Sequence, residues 1–247
     1  MTFNELWTYG ILGRSGNSVA LLVLCWILCI GISYLLGSMN FGLIISKYKF
    51  HDDIRKYGSG NAGMTNMLRT YGKAAAGMTL LGDALKAAVS ILIVGHFLCG
   101  TFGAYAAGLA CIVGHVFPVF FGFKGGKGVV TTAVMVLCLN PLVFLILLIV
   151  FVGLVATTKY LSLGSVMCML IYPYTLYKVD MLLQIPGGPD VLIAIVIAAF
   201  VIWLHRSNIK RLINGTENKF SLKSKKKDDK APAETDSDQE NGENQKK

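Results

Sequence analysis

Residues 129–158 read VVTTAVMVLCLNPLVFLILLIVFVGLVATT: two apolar runs, Val129 to Leu139 and Pro141 to Thr158, separated by Asn140 and lacking Asp, Glu, Lys and Arg. A helix needs about 20 apolar residues to cross the hydrocarbon of a bilayer, somewhat fewer when it is short or partly buried in protein. The second run meets that need, whereas the first is too short to cross alone at full thickness. Whether the first is nonetheless a span decides between six and seven helices, and the charges along the rest of the chain bear on that choice.

Five further stretches qualify as spans: Val19 to Ile45, Ala74 to Leu98, Thr101 to Phe121, Ser162 to Tyr177 and Val191 to Leu204. Composition agrees. Of 247 residues, 54% are hydrophobic and 15% charged, and the mean hydropathy is +0.58; a soluble domain has about 45–50% apolar and about 25% charged residues. A water-soluble globule is excluded. Lys and Arg accumulate in cytoplasmic loops and so orient the spans. With seven spans, Lys47, Lys49, Arg55, Lys56, Arg69, Lys73, Lys124, Lys127, Lys159 and every basic residue after Leu204 share one side. Arg14 and Lys178 fall opposite, and Lys86 lies inside a span. Deleting the short run would put Lys159 and the basic C-terminal segment across the membrane from Lys124 and Lys127. The expectation is therefore an all-α integral membrane protein of about seven transmembrane helices, with its N-terminus outside and its C-terminus cytoplasmic.

Three parts follow: an extracytoplasmic segment 1–18 without an evident secretory signal, a membrane domain 19–220, and a cytoplasmic tail 221–247. The tail sets seven Lys against seven Asp and Glu, so the formal charge of +9 belongs to the remainder. It has almost no apolar residues and is expected to be disordered; its KSKKK run is either a solvated segment or a binder of anionic headgroups. The cysteines at 25, 29, 99, 111, 138 and 168 lie in or beside apolar runs with no metal spacing, and read as small buried hydrophobes.

Three polar segments fall on the cytoplasmic side. The first is YGSGNAGMTNMLRTYG, 57–72, where glycines free the backbone while Ser59, Asn61, Asn66 and Arg69 offer donors. A helix beginning near Asn61 would align positions 61, 65 and 69, and the Arg69 fork suits a phosphate. In the second, GHVFPVFFGFKGGKGVVTT at 114–132, a basic glycine-rich loop of Lys124, Gly125, Gly126, Lys127 and Gly128 precedes an apolar helix, an arrangement suited to anions. It is not a nucleotide-binding P-loop, since Phe121 precedes Gly126 by five and Gly128 follows Lys127 where Ser or Thr is required. His115 beside it reads either as a helix-packing hydrogen bonder or as a proton acceptor. In the third, WLHRSNIKRLINGTENKF at 203–220, His205 and Asn208 are spaced so that they can face one pocket, and Glu217 can pair with either Arg206 or Arg211. Asp83 and Lys86, three apart within a span, can neutralise each other. Ser162 fits an N-cap, with Ser165 one turn further in and able to face the site.

Together GSGNAGMTNMLR, GHVFPVFFGFKGGKG and HRSNIKRLINGTE, with YLLGS at 34–38, the Asp83 to Lys86 spacing and YLSLGS at 160–165, resemble the signatures of the bacterial acyl-phosphate-dependent glycerol-3-phosphate acyltransferases. The likeness runs from about Tyr34 to Phe220, and the soluble acyltransferases' HxxxxD motif is absent from both. It implies transfer of a fatty acyl group from acyl phosphate to the 1-hydroxyl of glycerol 3-phosphate, giving lysophosphatidic acid and phosphate. It also implies a multi-pass protein of the bacterial inner membrane with a cytoplasmic active site, working among membrane lipids as a monomer without metal, cofactor or nucleic acid. Ser59, Arg69, Lys127 and Ser165 map onto residues that hold phosphoryl groups, and His205 and Asn208 onto catalytic positions that orient the substrate and the reacting centre. Asn61, Asn66, Lys124, Gly125, Gly126 and Gly128 complete the expected substrate-binding set, the glycines by letting backbone N–H groups approach a phosphate. Leu204 stands where the family usually carries Arg. The competing reading is a membrane transporter of phosphate or an organophosphate.

Overall fold

The computed structural model describes residues 9–11, 19–185 and 190–221, and all the regular elements among them are helical. The helices are α1 (Val19–Ser38), α2 (Phe41–Lys49), α3 (Met64–Tyr71), α4 (Lys73–Ala88), α5 (Leu98–Val116), α6 (Val129–Leu139), α7 (Pro141–Thr158), α8 (Leu161–Leu182), α9 (Asp190–Leu204) and α10 (Arg206–Ile213). A wider π-type segment, Val89–Phe97, continues α4 towards α5. By length and composition, Val19–Ser38, Lys73–Phe121 and Pro141–Thr158 can cross a membrane; α9 and α10, bent by 58°, count as one more if taken together.

The stretch Lys73–Phe121 is two helices, not one. At Gly100 the backbone turns out of the helix (φ 70°, ψ −162°), and a Cβ on Gly95 would lie 2.6 Å from the Cα of Ala104. In a straight helix those positions are about 13 Å apart along the axis, so the chain has doubled back. The separate runs ending at Leu98 and starting at Thr101 are thus recovered.

Small residues let the helices approach closely. On α1 the buried stripe is Cys25, Cys29, Ser33 and Gly37, four apart and hence on one face. A Cβ on Gly37 would strike the Cys111 backbone and one on Gly114 the Tyr34 carbonyl, so α1 and α5 meet backbone to backbone, as membrane helices often do. Behind this pair Met135 of α6 packs on Gly108, and Tyr172 and Leu176 of α8 join Ile197 and Val201 of α9 in the main apolar core. The outer face of α1 and most of α7 stay uncovered: Val23, Ile27, Leu145, Ile149 and Val152 are all more than half exposed. Helices apolar on every side with so little buried are made for lipid.

One expected span is broken. The run Val19 to Ile45 is interrupted at Met39 and Asn40, where Asn40 caps α2 by accepting from the Leu43 N–H at 3.2 Å. The pair Asp83 and Lys86 fits this break. Lys86 Nζ is 2.8 Å from Asp83 Oδ1 and donates to the Gly37 and Met39 carbonyls at 2.9 and 3.0 Å, while Asp83 Oδ1 accepts the Phe41 N–H at 3.3 Å. The cation therefore sits at the C-terminal end of α1 and the anion at the N-terminal end of α2, each where the helix dipole favours it. The cysteines are free thiols, as expected: Cys25, Cys29, Cys111 and Cys168 are buried, and Cys99 and Cys138 partly so. The expectations for segment 1–18 and for the tail beyond Ser221 fall almost wholly outside the described residues.

Candidate functional site

The three polar segments converge. Lys127, at the end of the glycine-rich loop, donates to Asn208 Oδ1 on α10. Asn208 passes the contact on, its Nδ2 donating to Glu217 Oε1 at 2.7 Å. Glu217 also accepts from Ser162 Oγ at 2.7 Å and from Arg211 Nε at 2.8 Å. Arg69 of α3 reaches the same strand of chain, donating to the Asn218 carbonyl at 3.4 Å and lying within electrostatic range of Glu217 and Arg211. Lys127, Arg69 and Arg211 thus surround one carboxylate, which leaves a surplus of positive charge at the site.

Each protonation state has a cause. Burial, reinforced by the nearby Arg211 cation, pulls the Lys127 ammonium down to about 8, against the opposing pull of Glu217. Burial pushes the Glu217 carboxyl up, but the hydrogen bonds from Ser162, Asn208 and Arg211 together outweigh it and hold it below the usual carboxylate range. His205 Nδ1 lies 2.8 Å from the Val201 carbonyl; a carbonyl only accepts, so Nδ1 carries the proton and Nε2 keeps a lone pair. The ring lies within electrostatic reach of Lys127 and Glu217.

Several expected binding residues prove to shape the site. Asn66 is buried and its amide is fully engaged within its own segment, donating to the Ile54 and Tyr57 carbonyls at 3.2 and 2.9 Å and accepting the Ser59 N–H at 3.2 Å. It holds the loop that presents Ser59. The N–H groups of Gly125 and Gly126 are also taken, by the Val116 and His115 carbonyls at 2.9 and 3.1 Å. These glycines are needed because a Cβ on Gly125 would overlap the His115 carbonyl and one on Gly126 the His115 ring. Gly128, at φ 74°, takes the left-handed turn that starts α6. The helix expected near Asn61 begins at Met64, capped by Gly63, so Thr65 and Arg69 share a face and Asn61 stands outside it. Ser162 is not an N-cap; Tyr160 holds that place, which frees the Ser162 hydroxyl for Glu217. Ser165 donates to the Leu161 carbonyl at 3.0 Å, one turn along α8 from Ser162. Leu204 packs partly buried against the main core.

Arg55 escaped the sequence reading. Its guanidinium is fixed by Asp53 at 2.7 Å and donates to the Phe121 and Lys124 carbonyls at 2.8 and 3.0 Å, tying the first segment to the second. Beside it is a cleft of about 580 Å³ whose lining includes Arg55, Lys56, Gly60, Lys124 and Gly125. The only available signal was its place in a basic loop, which also describes Lys47, Lys49 and Lys56.

A bundle of lipid-facing helices with a basic, hydrogen-bonded cluster assembled where three polar segments meet defines a membrane protein with a site suited to anions. The chain belongs to the glycerol-3-phosphate acyltransferase family, whose model matches residues 27–215. A glycerol-3-phosphate acyltransferase of Halalkalibacterium halodurans is 43% identical over 202 residues, covering 80% of this chain and 96% of the relative. One from Clostridioides difficile is 40% identical over 207 residues, covering 81% and 98%. Among solved structures, PlsY (YgiH), an integral membrane glycerol 3-phosphate acyltransferase, is similar in its glycerol 3-phosphate form. Its TM-score is 0.72 at 36% identity, covering 79% of this chain and 96% of that one. The lysophosphatidic acid form aligns at a TM-score of 0.69 and 35% identity, covering 80% and 96%.

Proposed function

We propose that this protein moves a fatty acyl group from acyl phosphate to the 1-hydroxyl of glycerol 3-phosphate, yielding lysophosphatidic acid and inorganic phosphate. Family membership supports the acceptor and the product. The observation that carries the reading is the meeting of Lys127, Arg69 and Arg211 around Glu217, because both substrates bring phosphate dianions whose mutual repulsion must be offset before they can meet.

In the reaction the glycerol 1-hydroxyl oxygen bonds to the acyl carbonyl carbon, the carbon–oxygen bond to phosphate breaks, and the hydroxyl proton leaves with the phosphate. Lys127 and Arg69 hold phosphoryl oxygens, aided by the hydroxyls of Ser59 and Ser165. Lys124 draws phosphorylated substrate towards the cleft. Asn208 aims the Lys127 ammonium, while His205 orients the acceptor through its Nε2. The departing phosphate is the proton acceptor we favour; His205 Nε2, with its lone pair, is the alternative. His115 is unsuited to this role, because it is buried and its Nδ1 is held against the Lys86–Asp83 pair, 3.0 Å from Lys86 Nζ.

We further read the bundle as seven spans with the N-terminus outside and the site at the cytoplasmic face of the bacterial inner membrane, the chain working as a monomer. The test is incorporation of radiolabelled glycerol 3-phosphate into lysophosphatidic acid by the purified chain, with palmitoyl phosphate or palmitoyl-CoA as donor. Product from acyl phosphate alone, abolished by Lys127→Ala and by Asn208→Ala, is expected. A folded preparation that makes no product from either donor would overturn the assignment and bring a transporter of phosphate compounds forward.

A further inference from the structure

The glycine-rich loop does not rest on its own backbone; it is docked on a buried polar knot deep in the bundle. Lys86 Nζ lies 3.0 Å from His115 Nδ1 and 2.8 Å from Asp83 Oδ1. His115 Nδ1 also lies 3.6 Å from Asp83 Oδ1, so the ion pair brackets that edge of the ring and Nε2 is the edge turned towards Gly126. The His115 carbonyl accepts twice, from Asn40 Nδ2 at 3.3 Å and from the Gly126 N–H at 3.1 Å. One residue, His115, thereby joins the α1–α2 break, through Asn40 and Lys86, to the residue next to Lys127. Lys86 and Asp83 are both buried, with side chains 3% exposed. Such a pair is costly to keep inside a membrane domain unless it does something there.

We propose that Lys86, held by Asp83, is a positioning residue for acyl transfer: by fixing the ring of His115 it seats Gly126 and so aims Lys127 at the phosphate of the substrate. The chain of cause runs from the ion pair to the His115 ring, from the ring to a glycine too small to push it away, and from the glycine to the ammonium. This rests on the acyltransferase reading, and its test separates the two.

The experiment uses the full chain in detergent with palmitoyl phosphate and radiolabelled glycerol 3-phosphate, comparing native, Lys127→Ala, Lys86→Gln and the double variant. Lys86→Gln is expected to lower kcat/KM for glycerol 3-phosphate at least tenfold. Adding Lys127→Ala to it should then cost at least tenfold less than Lys127→Ala costs the native chain, because the ammonium is already misplaced. A residue that merely supports the fold would reduce the active fraction and leave the full cost of Lys127→Ala in place, so multiplicative losses overturn the proposal. Should Lys86→Gln fail to elute as folded protein, Asp83→Asn/Lys86→Gln, which buries no unpaired charge, takes its place with the same two outcomes. A second readout needs no catalysis: trace acetylation of Lys127 followed by mass spectrometry across pH. The midpoint, near 8 in the native chain, should rise towards that of an ordinary lysine once the loop is released and hydrated. An unchanged midpoint would overturn the positioning role even if the chain transferred no acyl group.

Discussion

Glu217 lies at the centre of the site, and two substitutions there separate its hydrogen bonds from its charge. The carboxylate is 8% exposed and accepts from Ser162, Asn208 and Arg211 at 2.7, 2.7 and 2.8 Å. A hydrogen bond to a charged group is worth about 1.5–3 kcal/mol. The Arg211 guanidinium is 36% exposed, so screening limits its share to about 1 kcal/mol or less. Glu217→Ala deletes both acceptor oxygens and the three hydrogen bonds they receive, and leaves the Asn208 amide half-satisfied beside Lys127, at a cost of about 3–5 kcal/mol. Glu217→Gln keeps a carbonyl oxygen for Ser162 and Asn208 but turns an NH2 donor towards Arg211, so it forfeits that one ion-paired hydrogen bond, about 1–2 kcal/mol. Thermal unfolding in detergent should therefore order the chains native, Gln, Ala, with the larger step at Ala. The KM for glycerol 3-phosphate should rise more than tenfold further in Ala than in Gln, since about 1.4 kcal/mol is a factor of ten. Equal melting temperatures for the two variants, or a native KM in Glu217→Ala, would refute the idea that this carboxylate organises the site.

Three further outcomes are expected. The Lys127 ammonium is held down to about 8, so its charge is present below that pH and lost above it; KM for glycerol 3-phosphate should climb as pH passes 8, and Lys127→Arg should remove the climb, because Arg stays charged. Asn66→Ala removes three hydrogen bonds within its loop, the Ser59 N–H losing its acceptor, and should lower stability by about 2–4 kcal/mol in a detergent melt while raising KM through the released Ser59. Arg55→Ala cuts the tie to the Phe121 and Lys124 carbonyls; about 1–2 kcal/mol of stability should go, read as faster proteolysis of the two loops, with kcat changed less than threefold.

Much of the polar cluster was legible because it is written in residue type. Arg69, Lys127, His205, Asn208 and Glu217 are polar groups in a chain that otherwise avoids them, and such groups beside a membrane are kept for a purpose. What they touch was not legible. Asn66 and Arg69 look equally like ligand donors in sequence, yet one is consumed by its own loop and the other reaches the C-terminal segment. Gly125 and Gly126 suggested a phosphate cradle, and instead make room for His115. A glycine is silent about whether its missing Cβ leaves space for a ligand or for a neighbouring helix. Ser162 suited an N-cap by position, and its partner proved to lie 55 residues away.

The sequence by itself determined that this is a bundle of apolar helices and that its polar groups gather in three segments, with the family those segments announce. These are properties of run length and residue type, which need no knowledge of what lies across the bundle. Only the tertiary structure decided that α1 stops at Ser38 and that Lys127, Asn208, Glu217 and Arg69 meet in one polar cluster. Those outcomes depend on contacts between residues as much as 81 and 149 positions apart, and a hydrogen bond of that reach exists only once packing has brought its two ends to within about 3 Å of each other.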